Sequence, residues 1–205
     1  MNVALVDYGA GNLQSVKNAL RAAGAQNILV TADPEIVRNA DRIVLPGVGA
    51  FAHCMRALSS IDGMVDALND ATGTGGRPFL GICVGMQLMA DAGEEHGVTP
   101  GLGWIKGRVR ALKPSEPSLK IPHMGWNDVL AWHPHEVLDR DGEAYFLHSY
   151  HFEVTDPFDT LALTNHGGAV TAAVGRENRI GVQFHPEKSQ RYGLEFLARF
   201  LKWKP

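Results

Sequence analysis

Gly81-Ile82-Cys83-Val84-Gly85 is the segment that most narrows what this chain can build. The apolar Pro78-Phe79-Leu80 leads into it as a strand candidate, and Met86-Gln87-Leu88-Met89-Ala90 leads out as a helix candidate. A thiol at the apex of strand, sharp turn and helix, with glycine two places away on each side, is the layout of a nucleophile elbow. The apex residue is strained there, and the glycines let the chain fold back without Cβ clashes. At a helix N-terminus the backbone N–H groups and the dipole favour a thiolate. The plainer alternative is a buried cysteine packed as a small hydrophobe; the paired glycines weigh against it, but the turn alone does not prove chemistry.

A cysteine nucleophile needs a base, and the base needs an orienting group. Among nine histidines, His185 stands out in Gly181-Val182-Gln183-Phe184-His185-Pro186-Glu187. Residues two apart on an extended chain share a side, so Glu187 is placed to accept from His185 Nδ1 and leave Nε2 for the thiol. Pro186 stiffens the pair and offers no competing N–H. On spacing alone, a solvated polar strand end explains the segment equally well; the elbow at Cys83 tips the balance. Acyl transfer also needs an oxyanion hole. The N–H of Val84 is one candidate donor, and the loop Pro46-Gly47-Val48-Gly49-Ala50-Phe51 is a candidate source of another. An ordinary glycine-rich βα loop is the competing reading there.

The first half alternates strand and helix patterns. Strand candidates are Val3–Val6, Asn27–Val30, Ile43–Leu45 and Phe79–Ile82; Leu13 to Ala23 reads as a helix, and Asp33-Pro34-Glu35 as a helix start. This predicts an α/β fold with a doubly wound, mostly parallel sheet, flavodoxin-like, whose loops at Gly9, Gly47 and Cys83 meet at the carboxyl edge. In the second half, candidates around Trp104–Leu112, Ile121–Leu130, Ala144–Phe152, Leu161–Thr164, Val170–Val174 and Ile180–Phe184 read as antiparallel additions to that sheet. Leu194 to Trp203 closes as a helix, and Lys113–Ser118 reads as a surface loop rather than a linker. One domain over 1–205 is expected from the length.

A formal charge of −3 gives no basic footprint for nucleic acid. No apolar run approaches membrane-spanning length, and the N-terminus shows no signal-peptide pattern. With only two cysteines, Cys54 and Cys83, a disulfide framework is not expected, which fits a reducing cytoplasm. Cys54 lies in a helix pattern without flanking glycines and reads as structural. Gly9-Ala10-Gly11 lacks the third glycine of a dinucleotide fingerprint. The pairs His133/His135 and His148/His151 lack partners at familiar metal spacings. No metal or organic cofactor is expected.

Six segments in order along the chain carry a family likeness: Asp7-Tyr8-Gly9-Ala10-Gly11-Asn12, Pro46–Phe51, Gly81–Gln87, Pro122-His123-Met124-Gly125-Trp126-Asn127, Phe146-Leu147-His148-Ser149-Tyr150 and Gln183–Ser189. With these the chain resembles the class I, triad-type glutamine amidotransferases, most narrowly the glutaminase subunits of histidine biosynthesis. The resemblance implies glutamine hydrolysis by Cys83, His185 and Glu187. It implies substrate and oxyanion contacts from Gly47, Val48, Gly49, Val84, Gln87, His148, Ser149 and Tyr150. It also implies a (β/α)₈-barrel cyclase partner in a heterodimer, met by Asn12, His123, Met124, Trp126 and Lys188, with ammonia passed through a channel. A glutaminase subunit of another synthase and a stand-alone cysteine hydrolase of the same fold remain the alternatives.

Overall fold

The computed structural model describes residues 1–205. The first part runs β1 (Asn2–Val6), α1 (Leu13–Ala22), β2 (Asn27–Thr31), α2 (Pro34–Arg38), β3 (Arg42–Gly47), α3 (Phe51–Ser59), α4 (Met64–Thr72), β4 (Phe79–Cys83) and α5 (Val84–Gln87). Val3 to Val6 are fully buried, as a continuous apolar run must be in a parallel strand covered on both faces. Asp33 caps α2 by accepting from the Glu35 N–H at 2.9 Å, with Pro34 in the first turn, where its missing donor costs nothing. There follow β5 (Ala92–Gly93), β6 (Thr99–Pro100), β7 (Gly107–Ala111), β8 (His123–Ala131), β9 (Gly142–His148), β10 (Tyr150–Val154), β11 (Thr160–Asn165), β12 (Ala169–Arg176), β13 (Arg179–Val182) and α6 (Gln190–Lys202).

The main sheet has nine strands in the order β2-β1-β3-β4-β13-β12-β11-β8-β9. From β2 to β13 neighbouring strands are parallel; from β13 to β9 they are antiparallel. Three expectations need correction. The strand read at Ile180–Phe184 is not an antiparallel addition: β13 is antiparallel to β12, which reverses the chain and lays β13 parallel to β4 in the sheet's centre. The strand read at Ala144–Phe152 is two, broken at Ser149; β9 pairs with β8, whereas β10 joins a separate sheet ordered β10-β7-β5-β6. The helix read after the elbow is a single turn ending at Gln87. Each correction concerns pairing or length, which a local hydrophobic pattern does not encode.

One cluster of 53 buried residues, from Val3 to Trp203, fills the space between sheet and helices. Its reach across both halves explains why β13, late in sequence, can stand beside β4. No helix is long and apolar enough to cross a membrane. β3, β4 and β13 thus end side by side at one edge, Gly47 opposite Cys83 and Ile82 opposite Val182.

Candidate active site

Cys83 ends β4 with φ 54° and ψ −110°, a conformation that costs a residue with a side chain about 1–3 kcal/mol. The strain is held by backbone packing. A Cβ on Gly81 would lie 2.6 Å from the Gly85 carbonyl oxygen, and one on Gly85 would overlap the Leu45 carbonyl. Only glycine fits at either position, so the elbow is pressed against β3. Val84 opens the one-turn helix, and its N–H therefore has no intrahelical partner.

Beside it, Gln183 and His185 leave the end of β13. The His185 backbone is fixed on both sides: its N–H donates to the Tyr145 carbonyl on β9 at 2.8 Å, and its carbonyl accepts from Ser189 Oγ, just before α6, at 2.6 Å. His185 Nδ1 lies 2.8 Å from Glu187 Oε1, with the two side chains 4% and 1% exposed. The pair does not form along an extended chain, as the spacing suggested. Pro186–Lys188 is a 3₁₀ turn that brings Glu187 back under His185. Burial alone would lower the His185 pKa, but hydrogen bonds and charge from Cys83 and Glu187 raise it to about 10. An imidazolium beside the sulfur is the state these neighbours favour.

A cleft of about 530 Å³ opens over the thiol. Its walls include Val48, Gly49, Cys83, Val84, Gln87, His148, Ser149, Tyr150 and His185, all named from the sequence as catalytic or substrate-binding. Lys188, named for the partner face, also lines it. Gly47 lies behind, where a Cβ would meet the Gly85 nitrogen at 2.7 Å. Gly49 has φ +97°, so the loop turns through a conformation that glycine adopts freely.

Two assignments change in kind. The His148 side chain is turned inward and both ring nitrogens are engaged, with Tyr150 O at 2.9 Å and His123 Nδ1 at 3.0 Å. His123, expected at a partner face, is 3% exposed; β8 alternates, and His123 and Asn127 point away from the face that carries Met124 and Trp126. Those two are 64% and 48% exposed. Asn12 is exposed and caps α1. The Lys188 ammonium sits 5.6 Å over the Tyr145 ring.

Several contributors escaped the sequence reading. Gln183 Nε2 points at Cys83 Sγ from 3.7 Å. Glu95 lines the cleft and accepts from the Phe51 N–H at 2.9 Å. The loop before Phe51 is held from behind: Tyr8 Oη donates to the Pro46 carbonyl at 2.7 Å, and the Cys54 thiol to the Val48 carbonyl at 3.3 Å. Gln183 and Tyr8 lay inside two of the quoted segments, Gln183–Ser189 and Asp7–Asn12, without being assigned a role; Glu95 lies in none of them and gave no signal. No group of three or more His, Cys, Asp or Glu side chains converges to hold a metal ion.

Burial lowers His123 to about 4 and His148 to about 3, with His166 stacked on His123 adding to the effect. In the unfolded chain both return to the ordinary 6.5. Acid therefore protonates the unfolded state first, and the stability these rings contribute is full above 6.5 and lost as the pH falls towards 4 and 3. The drop in Tm on going from neutral to mildly acid buffer is expected to be smaller in His123→Asn than in the wild type. An equal drop would place the acid lability elsewhere.

The class-I glutamine amidotransferase family matches residues 4–203, and the chain belongs to that family. It is similar to the imidazole glycerol phosphate synthase subunit HisH of Zymomonas mobilis, at 65% identity over 99% of this chain and 96% of the relative. The HisH subunit of Rhodospirillum rubrum is 55% identical over the whole of both chains. Among solved structures, a glutamine amidotransferase superposes with a TM-score of 0.76 at 18% identity, covering 98% of each chain. PurLQS from Thermotoga maritima gives 0.71 at 17% identity, covering 98% of this chain and 95% of that one. At such identities the structural likeness is one of fold.

Proposed function

We propose that this chain is the glutaminase subunit of an imidazole glycerol phosphate synthase, a single domain acting in histidine biosynthesis in the cytoplasm. The observation that carries the reading is the strained Cys83 apex, facing the buried His185–Glu187 pair across one cleft. The Cys83 thiolate attacks the side-chain amide carbon of glutamine. Backbone N–H groups of Val84 and of the Gly47–Gly49 loop stabilise the oxyanion. The His185 imidazolium protonates the departing nitrogen, which leaves as ammonia, and a γ-glutamyl thioester remains. Neutral His185 then takes a proton from water as the water attacks the thioester. Glutamate leaves and the ion pair is restored. Glu187 holds the His185 tautomer, and Gln87 contacts the substrate.

Ammonia passes to a (β/α)₈-barrel cyclase, which produces imidazole glycerol phosphate and an aminoimidazole carboxamide nucleotide. Asn12, Met124, Trp126 and Lys188 are proposed to meet this partner; exposed Met124 and Trp126 with neighbouring Leu147, 37% exposed, supply an apolar patch. His123 acts behind that surface rather than on it. The Gly47-Val48-Gly49 loop is the proposed switch, since glycine makes a peptide flip sterically cheap. Loss of one oxyanion donor costs roughly 10²–10³ in rate. Glutamate release is to be measured for the chain alone, with the cyclase, and with the cyclase plus its nucleotide ligand. The expected order is slow, intermediate and fast. Equal rates would remove the switch, and no release in any arm would remove the glutaminase.

A further inference from the structure

A buried polar chain joins the nucleophile to strand β8, and only one placement of its protons satisfies every link. At its centre the Tyr150 carbonyl oxygen accepts from His148 Nδ1 at 2.9 Å and from Gln87 Nε2 at 3.0 Å. A carbonyl can only accept, so His148 carries its proton on Nδ1. Neutral His148 then has a lone pair on Nε2, and His123 Nδ1, 3.0 Å away, must donate to it. His123 Nε2 is left as an acceptor, and Asn127 Nδ2 stands 3.0 Å from it. The Asn127 amide is oriented independently: Nδ2 also donates to the Asn165 carbonyl at 2.8 Å, and Oδ1 accepts from the Asp128 N–H at 2.9 Å.

On the other side of Tyr150, Gln87 Nε2 also donates to Gln183 Oε1 at 3.0 Å. Both N–H groups of Gln87 are thereby used inside the protein. The amide oxygen is the one polar atom of Gln87 left for the cleft that this residue lines. Gln183, with its own oxygen occupied, presents Nε2 to Cys83 Sγ. Were the His148 proton on Nε2, its Nδ1 lone pair would face the Tyr150 carbonyl oxygen, and His123, obliged to accept on Nδ1, would turn its Nε2–H against the Asn127 amide N–H.

We propose that His123 and His148 are positioning residues for glutamine binding: as neutral rings protonated on Nδ1, they hold the Tyr150 carbonyl where it captures Gln87 Nε2, and so present the Gln87 amide oxygen to a donor group of the substrate. The inference rests on the glutaminase reading and on Gln87 as a substrate contact. Both rings are buried, at 3% and 6% exposure, so solvent does not supply the missing donor when one is removed.

His123 also stacks between Phe146 and His166, with ring centroids 4.7 and 4.2 Å away. A packing role and a hydrogen-bonding role therefore predict opposite outcomes for two substitutions. His123→Phe keeps a stacked ring and removes the Nδ1–H. His123→Asn removes the ring and keeps an N–H donor close to the Nδ1 position. Glutamate release by the complex of this chain with its cyclase is to be followed as glutamine is titrated. His123→Phe is expected to raise KM about tenfold with a smaller change in kcat, and His123→Asn to keep KM within about threefold of the wild type, the size expected for one buried donor. The reverse order, or a fall in kcat at unchanged KM, overturns the proposal. If His123→Phe does not fold, His148→Asn and His148→Leu repeat the comparison one link nearer Gln87: KM is expected to rise for Leu and to stay nearer the wild type for Asn, and equal or reversed effects overturn it. A wild-type complex that releases no glutamate would sink the glutaminase reading itself; an active wild type with unaltered KM in His123→Phe sinks only this inference.

Discussion

Cys83→Ala is expected to lower glutamine hydrolysis by roughly 10⁴-fold or more, with the fold retained. The other thiol offers no substitute: Cys54 is fully buried on α3 and spends its S–H on the Val48 carbonyl. Cys83→Gly should be equally inactive yet more stable than Cys83→Ala by about 1 kcal/mol, because glycine relieves the positive φ at a modest entropic cost. Glutamate release and thermal melts on the two variants check both halves. More than about 1% residual activity would assign the nucleophile elsewhere. A lower Tm for the glycine variant would show that the apex is not strained.

His185→Ala should cost nearly as much as loss of the thiol, and Glu187→Gln at least about tenfold less, as when the orienting member of a triad is removed. The geometry gives the reason. In the proposed mechanism His185 holds the proton that leaves with ammonia, whereas Glu187 acts through Nδ1 at 2.8 Å. A glutamine there can still accept from Nδ1–H through its own oxygen, though the charge is gone. Its N–H group would replace Glu187 Oε2, which is buried without a partner, so part of the penalty is structural. Because Cys83 and Glu187 raise His185 to about 10, the charged ring's contribution is present in full below the ordinary 6.5 and is lost as the pH rises through about 10. Glu187→Gln should therefore move the alkaline limb of the rate profile to lower pH. An unmoved limb, or a loss equal to that of His185→Ala, would give Glu187 a direct chemical role.

The proposed partner face and His123, one of the two rings behind the expected acid response, lie on the same strand. On β8 the side chains of Met124 and Trp126 face solvent while His123 and Asn127 face inward. One short segment thus supplies both an exposed apolar surface and the far end of a buried polar chain. That division depends only on strand periodicity, and it separates what a substitution does to docking from what it does to substrate binding.

The elbow was legible from the chain alone because its requirements are local: glycines at 81 and 85 are demanded by contacts with the elbow's own backbone and the strand beside it. The βα alternation of the first half was legible for the same reason, since buried parallel strands and capped helices write their pattern into consecutive residues. Tertiary structure alone decided that β13 lies parallel to β4 and delivers His185 to Cys83, because strand direction follows from pairing across a hundred residues rather than from any local pattern. It also split Ala144–Phe152 between two sheets, turned His148 and His123 inward, and set Gln183 against the sulfur. A glutamine or histidine carries no mark of its hydrogen-bond partner in sequence; buried polar groups must be satisfied, and only the folded chain determines by which neighbour.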